Sequence, residues 1–204
     1  MDDYYGELAR ATALHRTVGW ESEDAALARY EAVARRLRAG DRVLDLGAGL
    51  GELGRHLGRR ERGEGVAVHY VGLERDARLV ERSRGLEPKV EVRLGDFMVD
   101  PLEVADVVVF VGALVDGFSL RDDGVRFGRL RRMLERARAV ARREVILVVL
   151  DQDLLERDPV RSNERALGGL RLGEVPWLSP EGQMAHVERV LATDLLVAIP
   201  GTAG

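Results

Sequence analysis

Apolar runs alternate with charged, helix-like segments through the middle of this chain. Near-continuous apolar runs at 42–46, 107–111 and 145–150 are typical of strands that are buried on both faces of a sheet. Segments 76–84 and 126–142 repeat apolar residues every three or four positions among charged ones, which predicts amphipathic helices. The alternation predicts an α/β fold in which helices cover both faces of a parallel sheet.

A glycine-rich loop follows the first of these runs. Residues 43–51 read VLDLGAGLG, and a helical pattern continues over 50–60. Glycine lets the backbone turn sharply, and the missing Cβ atoms let a ligand approach the main chain closely. Open α/β sheets bind ligands at the carboxyl ends of their strands, and a helix N-terminus favours a carboxylate or a phosphate. The loop is therefore predicted to hold a cofactor.

Two classes of cofactor fit such a loop. Residues 49–54 match the dinucleotide fingerprint G-x-G-x-x-G, and Glu74 follows at the end of the next apolar run as a candidate ribose ligand. However, the glycine that closes the strand is Gly47, and counted from it the third position of the pattern is Glu52. Asp45 also places negative charge beside the loop, which repels a pyrophosphate and suits a cation such as an amino group or a sulfonium.

With Asp45 and its three glycines, segment 43–51 resembles motif I of the class I S-adenosylmethionine-dependent methyltransferases. Further segments resemble the later strands and turns of this family in the expected order; they are 71–74, 90–97, 106–113 and 144–150. The resemblance covers about residues 40 to 152 and rests on order and spacing more than on any one motif. It implies a doubly wound, mostly parallel seven-stranded sheet, with helices on both faces and extra N-terminal helices.

The resemblance implies S-adenosylmethionine as the cofactor, with S-adenosylhomocysteine as the product. The loop would contact the cofactor through the backbone of four residues, Gly47, Ala48, Gly49 and Gly51. Asp45 would orient the aminocarboxypropyl end of the cofactor. The residues alone also allow a plain tight turn, with a carboxylate that ties down the loop.

Two later segments complete the cofactor contacts that the resemblance implies. Glu74 would hold the ribose hydroxyls, with Arg75 directly after it. Asp96 and Phe97 would contact the adenine, although a solvated turn aspartate is the simpler interpretation of Asp96. Val111, near the end of the fourth strand, would face the reacting centre.

The amino-terminal segment is predicted to be helical. Residues 23–39 have a helical pattern, and Ser22 is a suitable N-cap. In the resembled family the material before motif I often forms a lid, so residues 1–40 are a candidate cap and Tyr4, Tyr5 and Trp20 candidate substrate contacts. The alternative is that these aromatic side chains pack the amino-terminal helices onto the sheet.

The carboxyl-terminal segment is the least regular. Residues 153–204 are expected to provide a substrate-side connection, a helix that starts at 179–181 and a final strand at 195–199. The resembled family closes its sheet with a hairpin of two strands, and 187–191 is either the other strand or a continuation of the helix. We expect one domain over 1–204, with 41–152 as its cofactor-binding core.

Residues on the acceptor side are less clear from sequence. His15 and His186 lie in the variable ends and are candidate general bases, although a lone histidine is more often a surface or packing residue. His56 and His69 fall inside a predicted helix and strand, so we interpret both as structural.

Asp116 is a third candidate catalytic residue. Together with Asp151 it is similar to the acid pair that holds magnesium in catechol-type O-methyltransferases. However, Asp116 comes several residues late, and a glutamine stands at 152 where that pattern prefers asparagine. No metal is therefore predicted.

Composition limits the expected cellular location and the expected class of partner. The chain has 204 residues, 46% of them hydrophobic, with no cysteine, no signal-peptide pattern and no apolar run long enough to span a bilayer, so we expect a cytoplasmic protein without membrane contact. Net charge is −4 and the arginines are interspersed with acids, which is typical of solvated helix faces and argues against nucleic acid as a partner. We expect a monomer or homodimer.

The function that these features predict is methyl transfer to an oxygen or nitrogen atom of a small-molecule acceptor. The fourth strand ends in VGAL, unlike the Asn/Asp-Pro-Pro-Tyr of amino-methylating nucleic-acid enzymes, and without cysteine a cysteine-dependent attack on a pyrimidine ring is excluded. The alternatives are methylation of a protein or peptide side chain, a non-catalytic protein that binds the cofactor, and an NAD(P)-binding protein.

Overall fold

The computed structural model describes residues 22–64, 67–112, 123–151, 186–191 and 194–203. Their strands are β1 (Arg42–Leu46), β2 (His69–Glu74), β3 (Glu91–Leu94), β4 (Ala105–Val111), β5 (Ala141–Leu150), β6 (His186–Leu191) and β7 (Asp194–Pro200). Their helices are α1 (Glu23–Ala34), α2 (Glu52–Glu64), α3 (Ala77–Arg84) and α4 (Asp123–Val140).

The strands form one seven-stranded sheet in the order β3-β2-β1-β4-β5-β7-β6. Strands β1 to β5 pair in parallel, whereas β7 runs antiparallel to β5 and to β6. The predicted doubly wound, mostly parallel sheet is confirmed. Because the chain order reverses between β1 and β4, the carboxyl ends of these two strands flank the crevice in which such sheets bind ligands.

Alternate residues of the central strands supply two separate cores. Val108 and Phe110 of β4 face the core that α4 covers with Leu130, Met133 and Leu134. Val107 and Val109 face the opposite core, to which α1 and α2 contribute buried side chains. Helices on both faces therefore explain why these strands are apolar at every position.

The carboxyl-terminal segment contains both strands of the closing hairpin. Residues 186–191 are a strand rather than a continued helix, and they pair with β7 from His186 opposite Ala198 to Leu191 opposite Asp194. β6 lies at the edge of the sheet and is mostly exposed or half-buried, so its side chains lack the apolar pattern that marks the inner strands. The predicted helix start at 179–181 lies outside the described residues.

Helix α1 begins as predicted but ends early. The Ala25 amide donates to Ser22 Oγ at 3.1 Å, which confirms the N-cap. The helix ends at Ala34 instead of 39, and the chain then turns through Gly40, whose φ of 83° suits glycine. None of the described helices is both long and apolar enough to cross a membrane.

Candidate cofactor-binding site

The glycine loop lies between β1 and α2 and has left-handed backbone at three positions. The φ angles are 77° at Gly47, 56° at Gly49 and 77° at Gly51, a conformation that disfavours residues with a Cβ atom. The amides of Gly47 and Ala48 both donate to the carbonyl oxygen of Leu73 in β2, at 2.8 and 3.1 Å. Strand β2 therefore fixes the loop through two backbone hydrogen bonds.

The Glu74 side chain also fixes the loop by a hydrogen bond. It is the last residue of β2 and is buried, with only 8% of its surface exposed. Its Oε2 accepts the Gly49 amide at 2.9 Å, and its Oε1 accepts the Asp76 amide at 2.9 Å. Because each carboxylate oxygen has two lone pairs, both oxygens retain capacity for a further donor.

The far side of the loop is anchored by one residue of α2 and one of α3. Arg55 and Ser83 are buried and both donate to the Leu50 carbonyl oxygen, Ser83 through its hydroxyl at 2.8 Å. Arg55 also donates to the Ser83 carbonyl at 2.8 Å. Sequence reasoning missed these two residues, because an arginine in a charged helix has the same pattern whether it is solvated or buried.

Asp45 is the penultimate residue of β1, and its carboxyl group is buried, with 3% of the residue surface exposed. Tyr70 donates its hydroxyl to Asp45 Oδ2 at 2.7 Å, while Oδ1 is buried and has no partner among the described residues. Burial raises the pKa of Asp45 to about 7, the Tyr70 hydrogen bond opposes this rise, and the charge of Glu74 adds to it. A buried carboxylate oxygen without a donor is costly, which makes Oδ1 a candidate binding atom for a cationic or donor ligand.

Tyr70 is a third residue that sequence reasoning missed. Burial, followed by the charge of Asp45, raises the pKa of Tyr70 well above its usual value, so the phenol is a neutral donor. A Cβ at Gly54 would lie 2.5 Å from its ring, and a Cβ at Gly72 would lie 3.1 Å from its hydroxyl oxygen. The two glycines, one in α2 and one in β2, are the only sequence signal of this placement.

The turn after β3 lies beside Glu74 in space. The Gly95 amide donates to the Glu74 carbonyl at 2.9 Å, which brings Asp96 to the same edge of the sheet. Asp96 Oδ1 accepts the Met98 amide at 2.8 Å, and the Phe97 ring packs edge-on against Phe110 with ring centroids 5.5 Å apart. These contacts give the predicted adenine turn a fixed shape.

An arginine of α4 supports this turn from the opposite side. The Arg136 guanidinium donates to the Phe97 carbonyl at 2.9 Å and to the Asp100 carbonyl. The turn therefore depends on a helix that lies about forty residues further along the chain, a link that no local pattern indicates.

The structure places the remaining predicted cofactor contacts at the same end of the sheet. Arg75 is exposed directly after Glu74, and Val111 is the half-buried last residue of β4. Gly112 then turns with a φ of 76°. The residues predicted for the cofactor thus converge from β1, β2, β4 and the turn after β3.

Of the candidate catalytic and substrate residues, the structure describes His186. His186 opens edge strand β6 with its side chain 53% exposed, level with Ile146 in β5 rather than with the end of that strand. With strands about 4.8 Å apart, it lies about 19 Å from β1 across the sheet. His15, Asp116, Tyr4, Tyr5 and Trp20 lie outside the described residues.

Asp151 is held by an ion pair. The Arg189 guanidinium donates to Asp151 Oδ2 at 3.0 Å, and the carboxylate is buried. Next to it, Arg29 of α1 forms a fully buried pair with Asp194 of β7 at 2.6 Å. Within the described ranges, no three histidine or acidic side chains come together in a group that could hold a metal ion.

His56 links two helices, as the structural interpretation predicts. Its Nε2 lies 3.2 Å from Glu31 Oε2, so α2 is tied to α1. Burial lowers the pKa of His56, and the hydrogen bond with Glu31 acts in the opposite direction.

Comparisons with known proteins support this geometry at the level of the fold. No family model matches the sequence, and no curated protein matches it. Among solved structures, the pyocyanin biosynthetic protein PhzM superposes with a TM-score of 0.67 and 20% identity, covering 98% of this chain and 62% of PhzM. The chain has the class I methyltransferase fold.

Two further structures give the same result. A TehB-like SAM-dependent methyltransferase from Corynebacterium glutamicum has a TM-score of 0.58 and 17% identity, covering 98% of this chain and 99% of that protein. Human N-acetylserotonin methyltransferase in complex with SAM has a TM-score of 0.62 and 18% identity, covering 98% of this chain and 66% of the human protein. This chain thus spans under two thirds of PhzM and of the human enzyme.

Proposed function

We propose that this chain binds S-adenosylmethionine at the glycine loop and transfers its methyl group to an oxygen or nitrogen atom of a small-molecule acceptor. The observation that carries the proposal is Asp45 Oδ1, a buried carboxylate oxygen without a described partner beside three left-handed glycines. The cofactor has a cationic amino group to meet this oxygen, and its own carboxylate suits the N-terminus of α2.

The other residues of the site would contact the ribose and the adenine of the cofactor. The Glu74 carboxylate, with lone pairs left on both oxygens, would accept the ribose hydroxyls. The turn at Asp96 and Phe97 would contact the adenine. Gly47, Ala48 and the other loop residues would contribute backbone contacts, with Arg75 and Val111 at the margins of the site.

A dinucleotide fits the same loop less well. A pyrophosphate would need free loop amides, yet the Gly49 amide already donates to Glu74. The buried carboxylate of Asp45 beside the loop would also repel its charge. The third glycine of the fingerprint, Gly54, makes room for the Tyr70 ring, so its presence has an explanation that needs no dinucleotide.

The chemistry is displacement at a methyl group that the sulfonium makes electrophilic. The protein's main task is to hold the acceptor atom in line with that group and to exclude water, which can lower the barrier by about 7 to 11 kcal/mol. A general base is needed only where the acceptor must lose a proton. His15, His186 and Asp116 remain predictions for this role, and Tyr4, Tyr5 and Trp20 for acceptor contacts.

The names of structurally similar proteins favour a small-molecule acceptor. They include N-acetylserotonin methyltransferase and mitomycin 7-O-methyltransferase MmcR. A protein or peptide side chain remains the second candidate acceptor, and the acidic net charge of −4 argues against nucleic acid.

Ligand binding tests the cofactor half of the proposal. S-Adenosylhomocysteine at a hundred times its Kd should stabilise the protein by about 2.7 kcal/mol in thermal unfolding, with a matching Kd from titration calorimetry. NAD⁺ and NADP⁺ serve as controls and should give no shift. Stabilisation by a dinucleotide, with none by S-adenosylhomocysteine, would overturn the proposal.

A product screen tests the transfer half. The protein is incubated with S-adenosylmethionine and pools of alcohols, phenols, amines and carboxylic acids, and mass spectrometry detects additions of one methyl group. Glu74→Gln is the control variant, since it should lose cofactor binding and every product together. Binding without any product, from small molecules or peptides, would support a non-catalytic binder instead.

A further inference from the structure

Tyr70 contacts Asp45, one of the groups beside the loop that has a buried polar atom without a partner among the described residues. Its hydroxyl lies 2.7 Å from Asp45 Oδ2, so one oxygen of the carboxylate is engaged and the other, Oδ1, is left buried without a partner among the described residues. The two residues lie on neighbouring parallel strands, where Val43 pairs with Tyr70 and Asp45 with Gly72. Rigid strands are suited to hold a functional pair at a fixed separation.

The chain clears space for this phenol at two separate places. A Cβ at Gly54 would approach the Tyr70 ring to 2.5 Å, closer than any real contact, so the ring lies directly on the backbone of α2. A Cβ at Gly72 would lie 3.1 Å from the hydroxyl oxygen and 2.6 Å from the Cβ of Ala48 in the loop. Glycine in a strand or a helix interior costs stability, so two of them around one side chain need a reason.

We propose that Tyr70 is a positioning residue for the amino group of the cofactor, and that it acts through Asp45. Its hydroxyl fixes the carboxylate in one orientation, and the free oxygen Oδ1 then accepts the ammonium group. This inference rests on the proposed function, because it assumes a ligand with an aminocarboxypropyl end.

The physical reason is that Tyr70 favours the charged form of Asp45. A buried carboxyl group tends to keep its proton, and a neutral carboxylic acid attracts an ammonium group weakly. The Tyr70 hydrogen bond lowers the pKa of Asp45 against the effect of burial. Removal of the phenol therefore leaves less carboxylate to meet the ligand near neutral pH, and the loss falls on the amino group alone.

Two ligands separate this role from general packing. S-Adenosylhomocysteine carries the aminocarboxypropyl group, whereas 5′-methylthioadenosine has the same adenosine and thioether without it. In titration calorimetry at pH 7, Tyr70→Phe should weaken S-adenosylhomocysteine binding about fivefold, since a rise of about one unit from a pKa of about 7 lowers the ionised fraction of Asp45 from about one half to about one tenth. The same change should alter 5′-methylthioadenosine binding less than twofold.

A double-mutant cycle tests whether Tyr70 acts through Asp45. In the Asp45→Asn background, Tyr70→Phe should change S-adenosylhomocysteine affinity less than twofold, because the group on which it acts has gone. Tyr30→Phe is the matched control, since it removes a hydroxyl that donates to Glu52 at 3.2 Å. It should leave S-adenosylhomocysteine affinity within twofold.

The outcomes are distinguishable. An equal loss for both ligands in Tyr70→Phe, no loss for either, or a fivefold loss that persists in the Asp45→Asn background would each overturn the role of Tyr70. If the unaltered protein binds S-adenosylhomocysteine in none of these titrations, the proposed function itself fails. Circular dichroism spectra that match the unaltered protein, together with a cooperative thermal transition, show that each variant is folded.

Discussion

Replacement of Asp45 by asparagine should stabilise the protein, and more so at higher pH. The usual pKa of this carboxyl group is 3.8 in an unfolded chain, and burial, partly opposed by the Tyr70 hydrogen bond, raises the pKa of Asp45 to about 7 in the fold. Between these two values the folded protein keeps a proton that the unfolded chain has lost. Stability therefore falls as the pH rises through this window, and the loss is complete above about pH 7.

The magnitude follows from the width of the window. Each pKa unit corresponds to about 1.36 kcal/mol, so the penalty for the ionised form is about 4 kcal/mol once both states are ionised. From pH 5.5 to pH 8 the free energy of unfolding falls by about 2 kcal/mol, since about 1.5 units of the interval between the two pKa values lie in that range. Asparagine does not ionise, so Asp45→Asn lacks this loss, and its advantage should grow by about 2 kcal/mol, or about 4 to 8 °C in Tm.

Urea unfolding of both proteins at pH 5.5 and pH 8, without cofactor, measures this difference. The control is Asp24→Asn, which removes an exposed carboxylate in the first turn of α1 and should change stability equally at the two pH values. An advantage of Asp45→Asn that is the same at both pH values would refute the reasoning, because it would show that Asp45 does not retain its proton in the folded protein.

Three further predictions concern the same site. S-Adenosylhomocysteine binding at pH 7 should release about half a proton, because the ammonium group of the ligand favours the ionised form of Asp45. Calorimetry in buffers of different ionisation enthalpy measures this release, and a binding enthalpy that is the same in every buffer would contradict it. Glu74→Gln should weaken S-adenosylhomocysteine binding at least tenfold, since it removes a charged acceptor for the ribose hydroxyls and for the Gly49 amide. Titration calorimetry measures the Kd, and an unchanged Kd would argue against a ribose contact. Gly72→Ala should lower stability by about 1 to 3 kcal/mol in urea unfolding because its Cβ would meet that of Ala48 at 2.6 Å, whereas Gly58→Ala, with open space around its Cβ, should not.

Local patterns in the sequence predicted the framework of the fold. The apolar runs marked β1, β4 and β5 because strands covered on both faces need apolar residues at every position. The glycine loop was equally clear, since only glycine readily adopts the φ angles of Gly47, Gly49 and Gly51. Glu74 was identified because an acidic residue that ends an apolar run needs a partner, and Asp45 because it places negative charge beside the glycine loop.

The contacts that shape the site were decided by the tertiary structure alone. Tyr70 lies 25 positions from Asp45, and Arg29 lies 165 positions from Asp194, so neither pair leaves a periodic signal in the chain. The edge strand β6 was ambiguous for a related reason: its partner β7 supplies the hydrogen bonds, and its own side chains face solvent on much of their surface. Periodicity records which face of an element is buried, whereas the identity of the neighbour across a strand pair or under a helix arises only when the chain packs. The sequence by itself thus determined where the glycine loop lies and which acids flank it, and only the packing of β2 against β1 and α2 decided that a tyrosine holds one of those acids.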